Sequence, residues 1–178
     1  MSWIAYPAIV ATIISVICLS YLALRKHVAE HPRTLSELGV DSVRSLTYFR
    51  LVLWLCGSLF AVTMYGYVIP NLKLVIPQTI AWSVTYISEV LLACVPAIGK
   101  GRNIHLALAT LMGLGMFSSA WVFVFSVTGN FAVIELVLAS TMTVLVLGTV
   151  VDKKRYIFYE LPFIFLAHIS ILTAVFSI

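Results

Sequence analysis

Apolar residues fall in six long runs separated by short polar breaks. The runs extend from about Trp3 to Leu24, Ser45 to Val68, Val75 to Ile98, Ile104 to Val127, Phe131 to Val151 and Tyr156 to Ile178. Each has roughly the 20 residues needed for an α-helix to cross a hydrocarbon core about 30 Å thick. None alternates polar and apolar residues as a membrane barrel strand does, so the spanning elements are helices. The breaks read "IPNLKLVIP", "GKGRN", "TGN" and "DKKR", plus one longer segment that includes His31 to Arg50. Short breaks force consecutive helices to lie antiparallel. The pattern predicts an all-α polytopic membrane protein, a six-transmembrane-helix bundle forming one domain over residues 1–178, with no internal repeat.

Composition sharpens this picture. Of 178 residues, 62% are hydrophobic and 10% charged. A soluble domain carries about 25% charged residues, so too little polar surface is present to cover a water-facing globule. Met1 and Ser2 put no Lys or Arg ahead of the first run, and no cleavable signal peptide is expected. Cys18, Cys56 and Cys94 all lie in apolar runs. An odd number without short spacing points to buried apolar residues rather than disulfides or zinc.

The net charge of +4 reads as orientation and not as nucleic-acid binding, because the basic residues occupy short loops. Arg25, Lys26, Arg33, Arg44, Lys100, Arg102, Lys153, Lys154 and Arg155 lie in the first, third and fifth connections, and only Lys73 lies opposite. The positive-inside rule places those three loops in the cytoplasm and both termini outside. Trp3, Tyr6, Tyr65, Tyr67 and Trp121 fit an outer aromatic belt, and Tyr48, Tyr156 and Tyr159 an inner one. In the fourth span, Ala109 with Gly113 and Gly115 with Ser119 form small-residue pairs. These suit close packing inside the bundle or, alternatively, a homo-oligomer seam.

The first loop carries local signals. In "TLSELG", Thr34 suits an N-cap, Glu37 completes a capping box with it, and Gly39 suits a left-handed C-cap. Ser36, Glu37 and Gly39 thus belong to a short capped turn over one end of the bundle, with a plain connector as the alternative. The same residues, in "LSELGV", with the six-span layout, resemble the DRAM-like six-helix membrane proteins and related bacterial families of unknown function. The resemblance implies a six-helix membrane fold. That group includes proteins linked to autophagy and to the processing of lipid anchors. Its motif loop is taken to face away from the cytoplasm, whereas the charges here place it inside. Overlapping the loop, "HVAEH" fits H-x-x-E-H, so His27 and His31 are weak metal candidates with Glu30 as base. Pro32 ends the helix there and no third ligand is legible, so no metal or other cofactor is expected.

Ionisable residues inside the spans are the remaining candidates, because such groups are costly in lipid and face the bundle interior. Arg50, Glu89, His105 and Glu160 fall in the half of the bundle nearest the basic loops, His168 lies near the midplane, and Glu135 stands apart near the other end. A pairing of Arg50 with Glu160 or Glu89 is expected. Together these five residues suggest a polar pocket that holds a lipid headgroup or small amphiphile, in a binding, scaffold or regulatory protein whose partners are membrane lipids. A small transporter or channel using Glu89 and His168 is the first alternative. An intramembrane lipid-modifying enzyme is the second, ranked last because no nucleophile–base pair is readable and no catalytic residue can be named.

Overall fold

The computed structural model describes residues 3–25, 43–95, 97, 99–151 and 156–178. The capped turn with Ser36, Glu37 and Gly39, and the histidines His27 and His31, lie outside the described residues. Six long helices follow in order: α1 Tyr6–Arg25, α2 Val43–Thr63, α3 Val75–Cys94, α4 Arg102–Ser126, α5 Asn130–Val151 and α6 Tyr156–Ser177. Each, alone or with its short terminal turns, is long and apolar enough to cross a membrane, and the chain is a multi-pass membrane protein. Large apolar side chains such as Ile13, Leu51, Ile80, Val144 and Phe176 are exposed around the outside. In lipid that surface is solvated by acyl chains and carries no penalty.

Prolines set several helix limits. Pro7 and Pro77 sit in the first turns of α1 and α3, where a missing N–H costs nothing. The sequence pattern carries the third span to Ile98, but α3 stops at Cys94. Val95 is extended (φ −99°, ψ 122°) because it precedes Pro96, and a residue before proline is driven from the helical region. The second span runs the other way, past Val68 to Asn71. There Pro70 has no N–H to give the carbonyl one turn back. The backbone widens into a π-helical turn over Met64–Val68, and the Ile69 N–H bonds the Met64 carbonyl.

Each helix packs on its neighbours in sequence, and α6 closes the bundle against α1 and α4. The α3–α4 pair is the most intimate. A Cβ placed on Gly115 would collide with the Thr85 hydroxyl and lie 2.8 Å from the Ala81 carbonyl oxygen, so only glycine admits this approach. Ser119, one turn on, accepts a buried hydrogen bond from Gln78 Nε2. The Gly115/Ser119 pair therefore serves an internal seam. The apolar core lies mainly in the half away from the basic loops, where Ala5, Ala8, Phe60, Met64, Trp82 and Phe123 pack together.

Candidate functional site: a cavity in the basic half of the bundle

Because the helices alternate in direction, the ends carrying Arg25, Arg44, Lys100 and Arg102 share one side of the bundle. On that side a cavity of about 420 Å³ opens among all six helices. Its walls are apolar: Leu19 of α1, Val52 and Leu53 of α2, Leu92 of α3, Met116 of α4, Val146 of α5 and Ile164 of α6. Aromatic rings add Phe49, Phe117, Phe163 and Tyr159. Ionisable lining groups are few: Glu89, Glu160, His168, the thiol of Cys56 and the phenol of Tyr159. No lysine or arginine is among the described residues that line it. At about 1.5 Å rise per residue, Glu160 and Glu89 stand about 6–8 Å in from their helix ends, and His168 about 18 Å in.

Glu89 is held by the backbone of α2. A Cβ built on Gly57 would lie 2.7 Å from Glu89 Oε2 and 2.8 Å from its Cδ. The carboxylate therefore occupies the space that a side chain at position 57 would fill. Glu89 is 7% exposed, and among the described residues none donates a hydrogen bond to it. Tyr159 is seated in the same manner: a Cβ on Gly148 would lie 2.5 Å from its ring, so α5 and α6 meet across that phenol. The sequence reading assigns Tyr159 to an aromatic belt, but its ring lies in the cavity wall, because Gly148 leaves room for it there.

His168 is 4% exposed and marks the deep end of the cavity. Its ring lies 4.6 Å from that of Phe60, which leans in turn on Trp82 at 6.3 Å. Among the described residues its Nδ1 has no hydrogen-bond partner. Thus three of the five candidates, Glu89, Glu160 and His168, meet at one cavity.

Arg50 and His105 sit elsewhere. Arg50 Nη2 donates to the Cys94 carbonyl oxygen (3.4 Å), where a cation complements the unpaired carbonyls at the end of α3. The expected pairing with a carboxylate is replaced by this helix-end contact, since α3 ends early and leaves its last carbonyls within reach. His105 Nδ1 donates to the Val95 carbonyl oxygen (2.7 Å) just beyond the same end. These two side chains close the α3–α4 connection and do not line the cavity.

Glu135 is fully buried in the other half of the bundle and accepts a hydrogen bond from Ser170 Oγ (2.5 Å). Among the described residues no three His, Cys, Asp or Glu side chains converge as metal ligands. The seat at Gly57 was missed from sequence. Its only signal is a glycine amid the large apolar residues of "LWLCGSLF", where glycine otherwise weakens a helix. No family model, curated protein or solved structure matches the chain.

Proposed function

We propose that this protein binds a small amphiphile in the cavity of its basic half, with the polar head toward Glu89, Glu160 and His168 and the tail along the apolar walls. One observation carries the reading: all six helices contribute to a 420 Å³ space that is mostly apolar, with the hydroxyls of Ser15, Thr110 and Thr149 and a few ionisable groups in its lining. Sites for small molecules have this volume and this character, about 300–1,000 Å³ with sparse polar groups in a mostly apolar lining. The opposite half is filled by the core around Phe60, Trp82 and Phe123, which favours a binding pocket over a through-channel. The positive-inside rule supports a cytoplasmic placement of the basic side, and on that orientation the ligand would enter from the cytoplasmic side or the inner leaflet.

Native mass spectrometry in a maltoside detergent, titrated with the neutral amphiphile monodecanoylglycerol, tests the reading. A saturable adduct of one molecule per chain is expected. Gly113 lines the cavity, and a Cβ added there meets nothing within 4 Å, so Gly113→Trp fills the space without a clash at its root. This change is expected to weaken binding by about tenfold or more, with the melting temperature as the control on folding. Ala109→Phe, one turn away, repeats the test. Adducts that rise without saturating, or that survive both substitutions, are inconsistent with an amphiphile in this cavity.

A further inference from the structure

We infer that the cavity selects a cationic head: its ligand is a single-chain amphiphile bearing one positively charged amine or ammonium group. The inference rests on the amphiphile-binding reading and adds the sign of the charge. Glu89 faces the cavity without a donor among the described residues, more than nine-tenths buried and pressed against Gly57 so that it cannot withdraw into α2. A carboxylate in that position lacks the partner that would offset its loss of water. No arginine or lysine among the described lining residues can supply one, and Arg50, outside the lining, donates to the Cys94 carbonyl. Glu160 is already engaged within the protein, which leaves Glu89 as the lining carboxyl whose ionised form a bound cation would stabilise.

The surroundings fit the same ligand. Phe49, Phe117, Phe163 and Tyr159 line the cavity, and the faces of such rings attract an ammonium ion, more strongly where water is excluded. An anionic head would meet the Glu89 carboxylate, with no lysine or arginine among the described lining residues to offset it. The exposed Arg44 and Lys100 stand at helix ends on the same side of the bundle, outside the lining. The sign of the charge therefore changes from basic at the rim to acidic inside. An amine amphiphile reaching the cavity exchanges lipid phosphate for Glu89.

The experiment compares three ten-carbon probes by native mass spectrometry: decyltrimethylammonium, monodecanoylglycerol and decyl sulfate. The cation is expected to bind the native protein about tenfold more tightly than the neutral probe, and the sulfate more weakly than either. Glu89→Gln is expected to bring the cation-to-neutral ratio close to one. A ratio near one in the native protein, a preference for the sulfate, or a ratio unaltered in Glu89→Gln overturns the inference. Because the ratio is read in the native protein too, a poorly folding variant does not remove the test. Equal binding of all three probes refutes charge selectivity alone, whereas no saturable binding of any probe refutes the amphiphile reading beneath it. Octadecylamine carried in phosphatidylcholine nanodiscs distinguishes the source of the ligand. Displacement of decyltrimethylammonium by it marks a membrane-borne amine, and failure to displace marks a water-borne one.

Discussion

Gly57 and Glu89 act as one unit across the α2–α3 contact. Glycine is costly in a helix, and Glu89 is costly in a membrane, yet each makes room for the other. Gly57→Val places a branched side chain where the carboxylate lies, 2.7 Å from Oε2 at its first carbon. Overpacking of this kind costs about 1–3 kcal/mol. Glu89→Ala removes the obstruction, so the double variant should lose less stability than the two single changes summed. Denaturant titration in detergent, followed by tryptophan fluorescence, measures the coupling. Strict additivity would show that the two positions do not touch.

At the scale of helices, α4 has two glycines with opposite surroundings. Gly115 faces the backbone of α3 and Gly113 faces the cavity. Gly115→Leu must separate the helices, because its Cβ meets the Thr85 and Ala81 backbone, and a loss of about 3 kcal/mol or more is expected. Gly113→Leu finds open space and replaces a poor helix former with a good one, so its effect on stability should be within about 1 kcal/mol. Melting temperatures of the two variants make the comparison, and equal losses would contradict this packing. The same seam explains why "GLGMFSS" reads ambiguously in one dimension. Small residues mark a close approach without naming the partner helix.

For the whole molecule, orientation decides which leaflet feeds the cavity. With the basic connections in the cytoplasm, a membrane-impermeant maleimide applied to intact cells should label Ile178→Cys and miss Gly101→Cys, both in a cysteine-free background. Such a background is needed because Cys94 is exposed. The reverse pattern would place the cavity on the opposite leaflet. The asymmetry between a filled half and a hollow half has a steric origin. Alanines at positions 5, 8 and 11 let α1 and the turn just before it lie close to the other helices in the filled half. Farther along the same helix, Ser15 and Leu19 line the cavity instead.

The sequence alone determines the number of helices, their alternation and the side that carries positive charge. These follow from composition over windows of about 20 residues and need no knowledge of contacts. The membrane also confines ionisable residues to the interior, which is why Glu89, Glu160 and His168 could be singled out from sequence and why they share a cavity. Tertiary structure decides the partners. Arg50 lies at a depth similar to Glu89 and Glu160, but rotation of α2 and the early end of α3 at Pro96 direct it to the Cys94 carbonyl. A linear pattern specifies depth and, through the 3.6-residue period, angle about one helix axis. It does not specify how one helix is turned toward the next. That rotation is set by the fit of side chains into gaps such as those at Gly57, Gly115 and Gly148, which exist only once the helices meet.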